Sequence, residues 1–285
     1  MTLSTETAGN NTIGIAGTGR VAQAFAALLR KNGIAGIIVA GRRAATITLR
    51  ELPQHSRRIL IAVADDALGD VSRELAAGGL RDGIVLHTSG SAGPEALAAL
   101  RASGNSVGVL HPLQTVPTPE RGVETLMGAA FAYAGDPEAV VWAQTLVAQL
   151  CGTPLAIDAQ HWQHYHAAAV MVSNYHVALV DAALELMEDA GVARGPALEA
   201  LAPLIRAATD NVLALGPEAA LTGPISRGDL GTVQRHIHAL ESATRETRNL
   251  YASAGLRTLA VARRAGLSVD AAQQIAEALE GSNSR

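Results

Sequence analysis

From Thr12 onward, short runs of β-branched and other apolar residues alternate with alanine-rich stretches of helical length. The runs TIGIA (12–16), GIIVA (36–40), ILIAV (59–63), GIVLH (83–87) and SVGVL (106–110) read as strands, with weaker ones at AFAYA (130–134) and PLAID (154–158). They are continuously apolar rather than alternating, as strands covered on both faces are. Helical spacing fills Arg20 to Asn32, Ala67 to Ala77, Pro94 to Ala102 and Glu138 to Leu150. Strand and helix in alternation predict an α/β domain with a doubly wound parallel sheet over residues 12–158.

After Asp158 the β-branched runs stop, and alanine- and leucine-rich helical segments follow near 159–190, 196–215, 229–254 and 256–280. Breaks are expected at Gly191, Gly195-Pro196, Gly216-Pro217 and Gly223-Pro224, where glycine and proline end helices for steric reasons. This predicts an all-α C-terminal domain over 159–285. Its first helix, about 45 Å long at ~1.5 Å per residue, is of the kind that packs across a domain or subunit interface.

Composition narrows the function classes. Hydrophobic residues make up 48% and charged ones 17%, which excludes a disordered chain. A formal charge of -4 removes the electrostatic attraction that non-specific nucleic-acid binding needs. The one cysteine, Cys151, makes neither an internal disulfide nor a cysteine-rich metal site, so a cytoplasmic protein is expected. Residues 1–11 (MTLSTETAGNN) lack the basic start and apolar middle of a signal peptide. No apolar run approaches the ~20 residues of a membrane helix, so no membrane partner is expected. The sole lysine, Lys31, falls in RKNG at a helix end, which argues against Schiff-base chemistry.

Directly after the first strand comes Gly17-Thr18-Gly19-Arg20-Val21-Ala22, a GxGxxA turn opening the first helix. In that context Gly17 permits a tight turn, Gly19 lets a pyrophosphate approach the backbone, and Ala22 lets helix and strand pack closely. An ordinary glycine turn is the alternative. The second strand ends in Ala40-Gly41-Arg42-Arg43, with no carboxylate for a ribose 2′-hydroxyl and two guanidiniums where a 2′-phosphate would lie. NADP(H) is therefore the expected cofactor, the arginines being otherwise a solvated surface pair.

Ligands of a doubly wound sheet sit beyond the carboxyl ends of its strands, which directs attention to three segments. Ala64-Asp65-Asp66 follows the third run, and Asp65 either borders the cofactor or caps the next helix. His87-Thr88-Ser89-Gly90 and His111-Pro112-Leu113-Gln114-Thr115 follow the fourth and fifth. His87, Ser89 and His111 would then share a crevice with the nicotinamide end of the cofactor, Gln114 lying nearby as a substrate contact. The alternative is two strand-end histidines bonded to nearby backbone.

In the helical region, HWQHYHAAAVMVSNYHVALVDAAL places His166 and Asn174 two turns apart on neighbouring faces, with Asp181 two turns further. Such a polar stripe must be hydrogen-bonded or face a wet cleft. His161, His164 and His166 do not share one helix face, so no metal is expected. Thr222-Gly223-Pro224-Ile225-Ser226-Arg227-Gly228-Asp229 is either a substrate loop, with Arg227 and Asp229 as ligands, or a helix cap of SxxD type.

The stretches GTGRVA, VLHTSG, LHPLQT, YHAAAVMVSNYHVAL and LTGPISRGDLGTVQRH together resemble a bacterial family of predicted oxidoreductases. That family joins a Rossmann-like NADP-binding domain to a C-terminal helical domain of unknown function, and is similar to the 6-phosphogluconate dehydrogenase-like superfamily. The resemblance implies an active site between the domains and a homodimer through the helical one. The β-hydroxyacid dehydrogenase branch carries a lysine shortly before an asparagine. Here Asn174 fits the asparagine, but Val170 and Met171 occupy the region of the lysine, which argues against that activity. The expected function is hydride transfer between NADP(H) and a small carbonyl or imine substrate. His166 is the first candidate proton donor and His111 the second, Asn174 and Ser89 orienting the substrate and Arg227 holding an anionic substituent. The missing lysine motivates the alternative of a non-catalytic NADP(H) sensor.

Overall fold

The computed structural model describes residues 12–41, 45 and 47–283. All seven expected strands form: β1 (Ile13–Ala16), β2 (Ile37–Ala40), β3 (Arg58–Ile61), β4 (Ile84–His87), β5 (Ser106–Pro112), β6 (Ala130–Gly135) and β7 (Thr153–Ala156). They make one sheet in the order β2-β1-β3-β4-β5-β6-β7. From β2 to β5 every pair is parallel. The sheet is mostly parallel, as expected; β6 alone runs antiparallel to its neighbour β5, while β7 is parallel to β6. The segment between β5 and β6 carries only the short helix α4 (Pro119–Leu126), capped by the Thr118 side chain. The chain re-enters the sheet at the end it left, where Leu113 N–H donates to Ala130 O at 2.8 Å.

Side chains alternate into two cores, as a sheet covered on both faces requires. Ile15, Leu60, Leu86 and Leu110 meet Phe25, Leu28 and Leu29 of α1 (Arg20–Lys31) and Trp142 and Leu146 of α5 (Pro137–Gln149). On the other face Ile59, Ile61, Val85 and Val107 meet Val71 and Leu75 of α2 (Leu68–Ala77) and Leu100 of α3 (Ala98–Ala102). The helix α6 (Trp162–Val172) extends this cover, with buried Trp162 packed on Val109, Ala132 and Ala134.

The chain divides into two compact units between Ser173 and Asn174, later than the Asp158 expected from the change in composition. Trp162 explains the difference, since it ties the first turns of a helical-looking sequence to the sheet. The continuous helix expected over 159–190 is broken at Ser173, where φ and ψ are -111° and -73°.

The second unit holds α7 (Asn174–Asp189), α8 (Arg194–Ala220), α9 (Leu230–Ala239), α10 (Arg245–Arg264) and α11 (Val269–Asn283). Val233, Leu259, Ile275 and Leu279 form its core. The break expected near 255 does not occur. Gly255 lies inside α10, where a Cβ would stand 3.0 Å from Leu279 of α11, so the glycine serves close helix packing rather than termination. Among the described residues, α7 and α8 bury only Leu184 and Ala197.

The expectation about apolar runs also needs correcting. The helical stretch Ala159–Asp189, 31 residues with a mean hydropathy of 1.4 in its most apolar window, is by length and composition long and apolar enough to cross a membrane. Interspersed histidines mask this in a scan for uninterrupted apolar runs.

Candidate functional site

β1 ends at Ala16, and Gly17 turns the chain with φ +137°, a conformation that L side chains rarely adopt. A Cβ there would stand 2.2 Å from Ala62 O, so the glycine also lets the ends of β1 and β3 close up. Gly19 is the N-cap of α1 and has no side chain to satisfy the first N–H groups of the helix. A Cβ at Gly19 would meet nothing within 4 Å. The room beside it is open, as close approach of an anion to the backbone requires. Ala22 is fully buried against the sheet, while Arg20 Nη1 donates to Pro117 O at 2.9 Å.

These residues head a cavity of about 700 Å³ at the carboxyl ends of the strands. Gly17, Thr18, Gly19, Arg20 and Val21 form one side, and Asp65, Thr88, Ser89 and Gly90 another. Arg42 and Arg43, expected to read a 2′-phosphate, lie outside the described residues.

Asp65 lines the cavity, and its side chain makes no cap bond to the short 3-10 turn it begins. Its carboxylate instead accepts a hydrogen bond from Ser91 Oγ, which lies 3.2 Å from Ser89 Oγ. Burial alone would raise the Asp65 pKa. The hydroxyls of Ser91 and Ser89, with the charge of His166, outweigh burial and hold it below the usual carboxylate value.

His87 is fully buried and has both ring nitrogens in use. Nε2 lies 3.0 Å from Gly93 O, which only accepts, so Nε2 carries the proton, and Nδ1 accepts from Ser89 N–H at 3.3 Å. Burial favours this neutral form and lowers the pKa. His87 thereby pins the loop from Ser89 to Gly93, with no ring nitrogen left for the substrate contact expected of it.

His111, at the end of β5, has Nδ1 2.6 Å from the Tyr165 hydroxyl. Burial, followed by the charge of His166, pushes its pKa down to about 4. The His166 ring stands edge-on to it at 5.9 Å. Among the described residues, no hydrogen bond engages the His166 ring. Gly90 completes the group, because a Cβ there would fall 2.6 Å from both His111 Nε2 and His166 Cδ2. Trp162 Nε1–H donates to Gly90 O and Gln163 Nε2–H to Ser91 O, each at 2.8 Å, so two bonds sew α6 to the loop after β4.

The first unit thus brings together Asp65, Ser89, His111 and His166 from the expected set. Gln114 sits on an exposed turn, its Oε1 accepting from Thr115 N–H at 2.9 Å. Asn174, Arg227 and Asp229 belong to the second unit. There Asp229 caps α9, accepting from Thr232 N–H at 3.0 Å and Thr232 Oγ1 at 2.7 Å. Its carboxylate is committed to the cap, and Ser226, the other half of the expected box, bonds to Gly223 O instead. Arg227 is exposed. Among the described residues, no group of three His, Cys, Asp or Glu gathers as metal ligands. Gly90, Ser91 and Tyr165 were not in the expected set. The one signal for Tyr165 is an aromatic on the histidine-rich helix of a chain with only 3% aromatic residues.

A doubly wound sheet, a glycine turn opening its first helix and a cavity beyond its strand ends define a Rossmann-like α/β protein. Two domain families match in sequence: a Rossmann-like domain over residues 4–112 and a domain of unknown function, DUF2520, over residues 129–258. The two matches fall one after the other along the chain, the first on the sheet-forming stretch and the second from β6 into the helical region. No curated protein matches it by sequence. In fold it is similar to protein TM1727 of Thermotoga maritima, with 21% identity, 89% of this chain and 99% of that one covered, and a TM-score of 0.69. A candidate NADP oxidoreductase of Bacteroides fragilis is equally similar, with 21% identity, coverage of 88% and 98%, and a TM-score of 0.69. An imine reductase of Myxococcus stipitatus in complex with NADP+ shares the fold at 16% identity, with coverage of 89% and 93% and a TM-score of 0.58.

Proposed function

We propose that the protein is an oxidoreductase that uses NADP(H) to transfer a hydride to or from a small carbonyl or imine compound. One observation carries this reading: the wall of the cavity headed by the glycine turn includes Gly90, which abuts His111 and His166. Gly90 thus links the turn that would cradle the phosphates to two imidazoles, one to deliver a proton and one to donate a hydrogen bond. The NADP+-bound imine reductase with the same fold supports the cofactor class.

The described residues fit the diphosphate, with Gly17, Gly19 and the first N–H groups of α1 holding it and Asp65 bordering it, while Arg42 and Arg43 are candidates for the 2′-phosphate from sequence alone. When bound, NADPH supplies the hydride. The chain must then deliver one proton and hold the substrate. His166 is the group for the proton, since its ring is half-buried and uncommitted, whereas His87 is locked on backbone. His111, neutral at physiological pH, is suited to hydrogen bonding rather than to acid catalysis.

Calorimetry with NADPH and NADH tests the cofactor, and loss of absorbance near ~340 nm with a panel of ketones, aldehydes and cyclic imines tests turnover. His166→Gln should abolish turnover and leave NADPH affinity unchanged, while Arg42→Ala should weaken NADPH more than NADH. Tight NADPH binding with no oxidation across the panel would instead favour a sensor.

We also propose that a second copy of the chain covers α7 and α8, making a homodimer. Val177, Leu204 and Leu213 are 67%, 65% and 80% exposed on helices that bury almost nothing. Two such helices provide the about 20–30 residues that each side of a standard interface contributes.

A further inference from the structure

We propose that Tyr165 fixes the tautomer of His111, its hydroxyl donating to Nδ1, so that His111 offers Nε2–H beside Gly90 to the acceptor atom of the substrate. The proposal rests on the oxidoreductase reading for the identity of that acceptor, a carbonyl oxygen or imine nitrogen.

A His111 ring that stays neutral carries one proton, on either Nδ1 or Nε2. The Tyr165 oxygen is 2.6 Å from Nδ1, and among the described residues the hydroxyl makes no other hydrogen bond. If Nδ1 held the proton, the phenol would accept and its own O–H would be left without a partner among the described residues. Donation from the phenol to Nδ1 satisfies both groups and leaves the proton on Nε2. Burial keeps the phenol protonated, raising its pKa to about 12, so this donor persists across the working pH range.

Packing aims the pair. Tyr165 lies against Trp162 at a ring separation of 5.1 Å, and Trp162 is itself bonded to Gly90 O. Nε2 packs against Gly90, a residue of the cavity wall, within 2.6 Å of where a Cβ would stand. Tyr165 is thus a positioning residue, and a neutral imidazole N–H preset toward a developing negative charge is a form of electrostatic catalysis.

Long-range 1H–15N correlation spectra of the uniformly labelled full chain, without cofactor or substrate, read the tautomer, with His111→Gln assigning the resonances. We expect the Nε2–H form of His111 in the wild type and a mixture of tautomers in Tyr165→Phe. An Nδ1–H form in the wild type, or no change in Tyr165→Phe, overturns the proposal. If Tyr165→Phe fails to fold, the wild-type spectrum alone decides. In turnover assays Tyr165→Phe should lower kcat about 10-fold or more, leaving the KM for NADPH within about 2-fold. Unchanged kcat would overturn the catalytic part. Failure of NADPH to bind at all would sink the oxidoreductase reading while leaving the tautomer measurement standing.

Discussion

The indole N–H of Trp162 donates to the carbonyl of Gly90 at 2.8 Å, across 72 positions of sequence and inside the core. It joins the helix that carries Tyr165 and His166 to the loop that lines the cavity. Trp162→Phe should leave that carbonyl unpaired and cost about 1–3 kcal/mol, with a further loss from packing. Urea denaturation monitored by circular dichroism checks the value, and an unchanged midpoint would contradict it.

Gly90→Ala should separate binding from chemistry. The added methyl would fall 2.6 Å from His111 Nε2 and from His166 Cδ2, so both rings must move. A displacement of about 1 Å in a reacting group can cost ~100-fold in rate. We expect kcat to drop by about that factor while NADPH affinity, measured by fluorescence titration, stays within about 3-fold.

The two glycines of the phosphate turn should respond differently to alanine. Gly17→Ala meets both a positive φ and a backbone oxygen 2.2 Å away, so it should destabilise the fold itself. Gly19→Ala meets no atom within 4 Å and should leave thermal stability nearly unchanged. Its methyl would instead occupy the space a diphosphate needs, so Gly19→Ala should lose nucleotide binding. Calorimetry beside thermal melts distinguishes the two cases.

Acid should destabilise the protein through its buried histidines. His111 titrates at about 4 in the fold and near 6.5 when exposed, so between these values the unfolded chain binds the extra proton. The contribution is complete above pH 6.5 and is lost as pH falls toward 4. It amounts to at most about 3 kcal/mol. His87, its pKa also lowered by burial, acts in the same direction. Urea midpoints at pH 7 and pH 4.5 should differ less in His111→Gln than in the wild type.

For the helical unit, Leu213→Glu places a charge on a side chain that is 80% exposed. Light scattering should report a dimer for the wild type and a shift toward monomer for the variant. A monomeric wild type would end the proposal of a second copy on α7 and α8.

The strands were readable in advance because ILIAV and its like have no stable place except a covered sheet, and GTGRVA because glycines at that spacing serve a turn and an anion. The sense of β6 was not, since a run such as AFAYA looks the same in either direction and the connection decides. Pairings across sequence were equally hidden: 54 positions separate His111 from Tyr165, and no local pattern announces their contact. The SxxD motif illustrates a third limit, as Asp229 does cap α9 but with Thr232 rather than through Ser226.

That the sheet unit ends at Ser173 rather than Asp158 has a mechanical meaning. The glycine turn and the imidazole pair ride on one chassis, so their spacing is set within the sheet unit alone. Changes in the helices beyond that point leave this spacing intact, and it is the distance on which the proposed transfer of a proton and a hydride depends.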